Sequence, residues 1–528
     1  MMLLKPPAKK ISNGVTTDLH RKILKIIFLF LFFIPACSLK EAEESNIITI
    51  AIESNPTNLD PRFSMDAVSS KITRLLFNSL LKRDENMRFI PDIADRWDIP
   101  DDVTYIFHLK KGIKFHDGKD LTSGDVKYTY AFILEPANKS PKKGGYDKIN
   151  EIRTPDDYTV IFILKEPFAP FLDNMTLGIV PEHASKEKGS DFSSHPVGTG
   201  PFIFKEWTQD EKVILSANNS YFEGRPNIDG VIYKIIPDET IRVLELEKGD
   251  VQLLMNPITP DILPRFKKNP ELKIIKNIGT NYSYIGFNLN DPILKNLKVR
   301  QAIAHAIDRD SICKYILKGL AKKTDGILTN YNWAYEPDLK NYDYNPELSK
   351  KLLDEAGYSV SKETGIRFKL TFKTSQNELR KRIAEVFQEQ LRKAGIEMEI
   401  MTYEWGTFFS DIKSGNFQVF SLTWVGISDP DIFHYMFHSS SFPPDGANRV
   451  RYSNPEVDNL LEQGRVIMQE DKRREIYSKV QKTISEELPY ISLWHSVNVA
   501  VMQKNIEGFA LYPDEDMVSL KSVIRKNN

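Results

Sequence analysis

Helix-like and strand-like apolar patterns alternate along the second half of this chain. Apolar residues recur at helical spacing in segments 299–307 and 379–391, and Gly395 follows the second segment, where helices commonly end. Residues 396–400 alternate between apolar and charged side chains, and 417–424 is a largely apolar run typical of a strand. Alternation of this kind predicts lobes of the α/β class, in which helices cover a sheet.

The first half of the chain is richer in strand-like segments. The run 47–52 predicts a buried strand, and apolar residues at helical spacing over 65–81 predict a helix. Three more strand-like segments lie at 105–109, 159–164 and 200–205. The chain has 528 residues, whereas single compact domains usually stop growing near about 250 residues, so we expect two or more lobes.

Charge and cysteine content exclude some classes of protein. The chain has 71 basic and 72 acidic side chains, a balance that gives no general attraction to nucleic acid. Its two cysteines are Cys37 and Cys313, and no structural disulfide is expected once Cys37 is modified. Burial of apolar side chains must therefore supply the stability of the fold.

Residues 1–36 have the pattern of a secretory signal peptide. Basic residues within 21–25 precede the apolar run 26–34, which is too short to span a bilayer, since a span takes about 20 residues. The end of this run resembles a lipoprotein signal-peptidase site, where the new N-terminal Cys37 receives acyl chains. We predict that residues 37–45 tether a periplasmic or extracytoplasmic protein to a membrane through these chains. Cleavage and simple release is the alternative.

Short motifs over nearly the whole mature length carry a family resemblance. They are Asn55-Pro-Thr-Asn-Leu-Asp60, the segment 105–126, Val197-Gly-Thr-Gly-Pro-Phe202, Tyr284-Ile-Gly-Phe-Asn288, Val299-Arg-Gln-Ala302, Ala306-Ile-Asp-Arg309 and Tyr403-Glu-Trp405. In this order and spacing, they resemble the peptide and nickel type of extracellular solute-binding proteins that serve ABC importers.

The resemblance implies a two-lobe periplasmic-binding-protein fold with a hinge and an extra domain inserted in the first lobe. Lobe I would comprise residues 46–75, 196–276 and 497–528, the inserted domain 76–195, and lobe II 277–496. Closure about the hinge would bury the ligand, as in other two-lobe proteins that trap small ligands.

The sequence lacks the motifs that would support catalysis. It has no Gly-x-Ser-x-Gly nucleophile elbow, no His-Glu-x-x-His zinc pair and no phosphate-binding loop with its Lys. His434 and His438 are four residues apart on a predicted helix, but two ligands do not make a metal site. No enzyme activity, metal or cofactor is predicted, and the energy for transport must come from a partner.

The segment from Trp424 to Asp431 is the most informative part of the predicted site. A bound peptide needs a carboxylate for its ammonium end, because a buried charge is costly without a partner. Dipeptide binders of the family place an Asp where this chain has Ile427. Either Asp429 or Asp431 takes over, or the ligand has no ammonium there. Trp424 would form an aromatic wall or belong to the core, and Asp429 is also typical of a turn before proline.

The carboxylate end of a bound peptide needs a positively charged partner in the same way. The family's dipeptide binders present an Arg just before the helix predicted at 379–391, but segment 374–377 has none, and Arg380 and Arg382 follow within the helix. These departures weaken the interpretation as a free-dipeptide binder and leave a peptide-like or polar organic solute. Further candidate contacts, each also compatible with a scaffold role, are Asn58, Asp60 and Trp405.

We therefore predict a monomeric binding protein that passes a peptide or peptide-like solute to an ABC permease and its ATPase. A periplasmic ligand sensor or a chaperone-like protein on the same fold is the alternative, because both need only a closing cleft. A permease and an ATPase encoded beside the protein would favour the importer, and a neighbouring signalling protein would favour the sensor.

Overall fold

Strands and helices alternate through residues 46–526, the part of the chain that the computed structural model describes. In chain order, the strands of this part are β1 (Ile47–Ile52), β2 (Leu81–Arg83), β3 (Phe89–Pro91), β4 (Ala94–Asp101), β5 (Thr104–Leu109), β6 (Ile149–Asp156), β7 (Thr159–Leu164), β8 (Phe202–Thr208), β9 (Lys212–Ala217), β10 (Gly230–Ile235), β11 (Leu253–Met255), β12 (Leu272–Phe287), β13 (Ala321–Lys323), β14 (Phe368–Ser375), β15 (Ile396–Tyr403), β16 (Val419–Trp424), β17 (Tyr490–Gln503), β18 (Ile506–Glu507) and β19 (Ile524–Arg525).

The α-helices of the same part are α1 (Ala67–Leu76), α2 (Ser123–Leu134), α3 (Lys143–Tyr146), α4 (Glu182–Lys188), α5 (Glu239–Lys248), α6 (Leu263–Lys268), α7 (Leu297–Ala306), α8 (Arg309–Ser311), α9 (Pro346–Glu355), α10 (Glu378–Lys393), α11 (Trp405–Ser414), α12 (Ile432–Phe437), α13 (Pro455–Val466) and α14 (Glu470–Glu487). The α/β class predicted from the sequence is confirmed.

Strands of both halves of the molecule belong to one mixed sheet. Its order is β15-β14-β16-β12-β17-β11-β1-β10-β9-β8, and β13 pairs with β17 as a branch. Parallel pairs join β1 to β10 and β11 in one half, and β14 to β15 and β16 in the other. The antiparallel strands β12 and β17 lie between these two α/β halves and connect them.

The hinge lies where the ladder between β12 and β17 is interrupted. The two strands pair over Leu272–Ile278 in one half and resume at Tyr282 in the other, with a shift of register in between. Such an irregularity breaks the regular hydrogen bonds of the ladder and lets the strands bend. Residues 279–281 of β12 are therefore where we expect the hinge of the two-lobe fold.

Each half of the sheet has its own apolar core. Ile50 and Tyr233 are buried in the half that contains β1, and Phe287 and Phe387 are buried in the half that contains β14. Separate cores allow the two halves to move as units, because neither gives up its own packing when the cleft opens. We keep the ranges of the sequence analysis as labels for lobe I, the inserted domain and lobe II, and those boundaries remain a prediction.

A third core lies in the inserted domain, beneath an antiparallel sheet of order β4-β5-β7-β6. Strands β5 and β7 alternate buried and half-buried residues, as expected for a sheet with one face in a core. Their buried faces contribute Phe107 and Phe162, and Tyr130 of α2 packs edge-on against Phe162. The inserted domain therefore has an apolar core of its own, separate from the core of lobe I.

The two ends of the inserted segment, where the chain leaves lobe I and where it returns, lie next to each other. The backbone N–H of Gly200 donates to the carbonyl of Leu76 over 2.9 Å. A Cβ atom on Gly198 would lie 2.0 Å from the same carbonyl oxygen, and one on Gly200 would lie 2.3 Å from the carbonyl oxygen of Leu75. Only glycine permits so close an approach, which explains the Gly-Thr-Gly sequence here.

The observed elements correct two sequence predictions. The helix expected over 65–81 is α1, whose N-terminus is capped by the Asp66 side chain and which ends at Leu76. Leu80 and Leu81 continue the apolar spacing, but they are buried in the core of the inserted domain, so the pattern extends past the helix. The strand expected over 200–205 begins at Phe202, after the glycine contact.

Some predictions lie outside the described residues. The signal peptide at 1–36, Cys37 and the tether up to residue 45 are among them. Within 46–526, none of the helices combines the length and the apolar character that crossing a membrane requires.

Candidate functional site

Two cavities lie between lobe I and lobe II. The first, which we name the Arg380 cavity, has a volume of about 440 Å³. Its walls include Asn256 and Glu515 from lobe I and Asn281, Thr374, Arg380 and Thr423 from lobe II. Residues of both lobes therefore enclose a space suited to a small organic ligand.

Arg380 brings a cation without a protein partner to this cavity. It lies in the first turn of α10, and its Nη1 atom is buried and makes no hydrogen bond within residues 46–526. The guanidinium carbon lies 5.6 Å from the centroid of the Trp405 ring. Burial lowers the pKa of Arg380, which is the effect expected when a cation loses water without gaining an anion.

The carboxylate on the opposite wall of the Arg380 cavity already has partners. Glu515 forms an ion pair with Lys71 at 2.7 Å and accepts a hydrogen bond from the Asn256 side chain at 2.8 Å. The charge that remains available to a ligand in this cavity is therefore positive. A carboxylate is the ligand group that best complements it.

Trp424 lies at the end of β16, beside a second arginine without a carboxylate partner among the described residues. The Arg449 guanidinium stacks 4.6 Å from the centroid of the Trp424 ring, and it donates a hydrogen bond to the Tyr284 hydroxyl over 3.3 Å. Tyr435 packs edge-on against Trp424 as well, with the ring centroids 6.1 Å apart. Trp424 is half-buried, so its role as a cleft wall remains a prediction.

The second cavity, which we name the Lys142 cavity, has a volume of about 350 Å³ and touches all three parts of the fold. Lobe I contributes Ser64, Ser70 and Arg74. The inserted domain contributes Lys142 and Asp173, and lobe II contributes the backbone and side chains of the loop that contains Gly426 and Ser428. The cavity is more polar in its chemistry than the first, because most of these side chains carry hydroxyls or charges.

Most charged groups around the Lys142 cavity form ion pairs with each other. Arg74 contacts Asp514 at 2.5 Å and Asp516 at 3.2 Å. Arg83 contacts Asp173 at 2.5 Å, and Lys82 bridges Asp92 and Glu223. Lys142 is the exception, since it forms no ion pair with the rest of segment 46–526.

The structure places Asp429 and Asp431 outside both cavities. The Asp429 carboxylate is buried 3.8 Å from Arg473, and burial raises the pKa of Asp429 to about 6. Asp431 contacts Arg465 at 2.8 Å, and burial raises its pKa as well. Both carboxylates thus have an arginine of lobe II beside them, and the prediction that either one holds a ligand ammonium remains a prediction.

Ile427 belongs to the core of lobe II rather than to the wall of a cavity. Its side chain is buried among Phe433 and other apolar residues, while its neighbours Gly426 and Ser428 line the Lys142 cavity. The ligand-facing wall of this loop therefore carries no carboxylate. This arrangement agrees with the alternative that the ligand has no ammonium at this place.

Asn58 and Asp60 form a local turn in lobe I. The Asn58 side chain accepts from the Asp60 backbone N–H at 2.8 Å, and the Asp60 carboxylate forms a buried ion pair with Arg62 at 2.6 Å. Trp405 is half exposed at the start of α11 and stacks on Phe409. None of the three side chains lines either cavity, and their contact with a ligand remains a prediction.

Contacts between separate parts of the fold close the cleft around the two cavities. The Ser428 hydroxyl of lobe II donates to the Asp173 carboxylate of the inserted domain over 3.0 Å. Lys318 and Arg382 of lobe II both contact Asp261 of lobe I. These polar contacts hold the closed form, and they can be exchanged for water when the lobes separate.

The sequence marks Arg380, but it marks neither Lys142 nor Arg74. Arg380 is next to the position where the family resemblance implies an arginine, so its helix provided a signal. Lys142 lies in the inserted domain, and apart from Tyr146 the residues that line its cavity are distant from it along the chain, so no local pattern marks it. His434 accepts from Arg465, and residues 46–526 contain no cluster of three potential metal ligands.

Comparison with known proteins identifies relatives over almost the whole chain. Residues 88–443 match the model of bacterial extracellular solute-binding proteins, family 5 Middle. The oligopeptide-binding protein AppA of Bacillus subtilis is 32% identical over 94% of this chain and 97% of its own length. The structure of that protein with a nonapeptide superposes with a TM-score of 0.74 at 31% identity, covering 91% of this chain and 99% of that one.

A second solved structure, NikZ from Campylobacter jejuni in complex with Ni(L-His), is 27% identical. It covers 91% of this chain and 100% of its own, with a TM-score of 0.76. The two-lobe fold with an extra antiparallel subdomain is thus shared with both structures. The chain belongs to family 5 of the bacterial extracellular solute-binding proteins, which makes it a non-enzymatic solute-binding protein of an ABC importer.

Proposed function

We propose that this protein captures a peptide-like solute between its lobes and delivers it to a membrane permease that is driven by an ATPase. The observation that carries this proposal is Arg380, a half-buried arginine that lines a cavity enclosed by both lobes and whose buried Nη1 atom makes no hydrogen bond with the described residues. A ligand carboxylate would supply the missing anion. Arginine suits this task because its planar fork can donate two parallel hydrogen bonds to one carboxylate.

The surroundings of Arg380 fit the rest of a peptide-like ligand. Asn281, Thr374 and Thr423 give the cavity side-chain amide and hydroxyl groups that can bond peptide groups, and apolar residues such as Leu379 and Phe372 cover the remaining wall. A few polar groups in an otherwise apolar cavity fix the orientation of a ligand. Relatives support the class, since AppA was solved with a nonapeptide and NikZ with Ni(L-His), and peptides and histidine both carry a carboxylate.

Acyl chains on Cys37 would hold the protein at the membrane that contains its permease. Stable anchoring takes at least two chains, and a lipoprotein Cys receives that many. Replacing Cys37 by Ser should move the protein from the membrane fraction to the soluble fraction, with an unchanged thermal midpoint. Retention of the variant in the membrane pellet would contradict the anchor.

Identification of the ligand tests the proposed function directly. We expect native mass spectrometry of the gently extracted protein to reveal a bound peptide or peptide-like acid. A thermal-shift panel of short peptides, a nickel–histidine chelate and haem then ranks the classes, because a ligand at 100 times its Kd stabilises the folded state by about 2.7 kcal/mol. A clear shift from haem or the chelate, with none from any peptide, would contradict the peptide-like class.

A further inference from the structure

Lys142 is a positively charged side chain that faces the Lys142 cavity without a counter-charge. It precedes α3 in the inserted domain, and its Nζ atom makes neither an ion pair nor a hydrogen bond with any residue of segment 46–526. Its backbone is held in place because Lys142 N donates to the Ser140 hydroxyl, which donates in turn to the carbonyl of Arg62. The fold therefore presents this cation to the cavity from a fixed position.

The environment of Lys142 is unfavourable for a cation in the absence of a ligand. Burial lowers the pKa of Lys142, and the positive charge of Arg74 lowers it further. Arg74 is itself bound to Asp514 and Asp516, so those carboxylates are already in use. An anion beside Lys142 would supply the counter-charge that this ammonium group lacks.

Two serine hydroxyls of lobe I line the same cavity. Neither the Ser64 hydroxyl nor the Ser70 hydroxyl has a hydrogen-bond partner in the described part of the chain, although Ser64 is buried. A hydroxyl can donate to an anionic oxygen at little cost, because its hydrogen rotates freely. Two hydroxyl donors beside an ammonium group without a counter-charge form a suitable environment for a carboxylate.

The opposite wall of the cavity does not favour an ammonium group. It is formed by Thr280, Gly426 and Ser428 of lobe II, and the position between the last two is Ile427, whose side chain lies in the core. The nearest carboxylate, Asp173, is bound to Arg83 and accepts from Ser428. An ammonium here would meet Lys142 and find no unoccupied carboxylate among the lining residues.

We propose that Lys142, assisted by Arg74 and the hydroxyls of Ser64 and Ser70, binds a second anionic group of the ligand, so that the protein selects acidic peptide-like solutes. One carboxylate of such a ligand occupies the Arg380 cavity and another occupies the Lys142 cavity. The inference rests on the proposed function, and it narrows the substrate class to molecules with an acidic group at the end that faces Gly426.

Three peptides that differ only at the amino end test this inference by isothermal titration calorimetry on the full chain. They are Ala-Ala-Ala, which ends in an ammonium, N-acetyl-Ala-Ala-Ala, which is neutral there, and N-succinyl-Ala-Ala-Ala, which carries a carboxylate. We expect the succinylated peptide to bind the wild type at least about tenfold more tightly than the acetylated one, the usual scale of a charged hydrogen bond. The free peptide should bind most weakly.

Two matched variants assign the preference to Lys142. Lys142→Gln should reduce the ratio of the succinyl and acetyl affinities to about one, and Lys143→Gln, in the next position but outside both cavities, should retain the wild-type ratio. Affinity for the acetylated peptide should be the same in all three proteins, which also shows that the variants are folded.

The possible outcomes separate this inference from the proposed function. A wild type that binds the free or acetylated peptide at least as tightly as the succinylated one overturns the second anionic subsite and leaves the peptide-like class standing. A preference that survives in Lys142→Gln overturns the role of Lys142. A wild type that binds none of the three peptides, but binds haem or the nickel chelate, overturns the proposed function and the inference together.

Discussion

The loop from Trp424 to Asp431 and the first turn of α10 both belong to lobe II, but their charged side chains differ in whether they have an oppositely charged partner. In the loop, Asp429 and Asp431 are beside Arg473 and Arg465 of the same lobe. At the start of α10, Arg380 remains without a carboxylate. The carboxylates of the loop are paired within the fold, whereas the Arg380 guanidinium remains available for an anion.

This difference shows what a charged residue in a cleft must satisfy before it is assigned to a ligand. A carboxylate that already has a cation beside it gains little from a ligand ammonium, because the cost of its burial is offset within the protein. A buried cation without an anion still bears that cost, and a ligand can remove it. The absence of a protein partner is therefore a better guide to a binding residue than its place in a motif.

The largest effect should come from a carboxylate that is bound within the fold. Asp60→Ala leaves Arg62 as a buried cation without its partner, and we expect the free energy of unfolding to fall by about 3–5 kcal/mol. Urea denaturation followed by tryptophan fluorescence measures this loss. Asp120→Ala, which breaks the exposed pair with Lys114, should cost less than about 1 kcal/mol. Ligand affinity lost without loss of stability in Asp60→Ala would place Asp60 with the ligand-binding charges instead.

The pH dependence of stability should reveal the burial of Asp429. Burial raises the pKa of Asp429 to about 6 in the folded protein, whereas an Asp carboxyl in the unfolded chain has a pKa near 3.8, so the folded state is destabilised as the pH rises through this window. Between pH 4 and 6, the wild type should lose stability relative to Asp429→Asn by about 2 kcal/mol. Urea denaturation of both proteins across this range gives the difference. A difference that is constant with pH would mean that Asp429 is solvated or more closely paired.

Removal of the Arg380 side chain should weaken binding with little effect on the fold. Arg380→Ala removes a charged hydrogen bond to the ligand carboxylate, and we expect a loss of about 2 kcal/mol, or roughly thirtyfold in Kd. Titration calorimetry with the peptide that gives the largest thermal shift measures it. Arg382→Ala is the matched control, because Arg382 faces Asp261 and does not line the Arg380 cavity. Equal losses in both variants would contradict a direct contact from Arg380.

The smallest effect should come from the contact that closes the cleft. Ser428→Ala removes the hydrogen bond to Asp173, which joins lobe II to the inserted domain. We expect affinity to fall by about 1 kcal/mol, mainly through faster dissociation of the ligand. Stopped-flow measurement of the dissociation rate tests this, with Ser439→Ala, whose hydroxyl bonds Asp458 within lobe II, as the control. An unchanged rate in Ser428→Ala would show that this contact does not stabilise the closed form.

The sequence predicted the regular elements well where short-range patterns decide them. The strands at 47–52 and 159–164 have the bounds that their apolar runs predict. The helix expected over 65–81 was too long, because Leu80 and Leu81 satisfy the same spacing from a different core. A helical spacing of apolar residues predicts that the side chains are buried, but it does not predict which of the cores contains each of them.

The predicted site also shows that a pattern in one segment does not reveal which distant residues its side chains will contact. The family resemblance of their loop points to Trp424, Asp429 and Asp431. The arginines beside the two carboxylates, Arg473 and Arg465, follow tens of residues later, and no motif marks them. Lys142 becomes notable only once residues of lobe I, the inserted domain and lobe II meet around one cavity. Whether a charge has a partner is a property of the tertiary structure, so no inspection of single segments reveals it.

The single point at which the inserted segment leaves and rejoins lobe I has a consequence for how such proteins diversify. Because Gly200 sits against Leu76, the chain on either side of the insertion is almost continuous in space, and the segment can be exchanged or resized without rerouting a strand of the large sheet. Lys142 lies on that segment, whereas Arg380 lies on α10, which packs against the large sheet in lobe II. Recombination at this junction would change the specificity for the ligand group that binds near Lys142. The binding of the ligand carboxylate near Arg380 would stay the same.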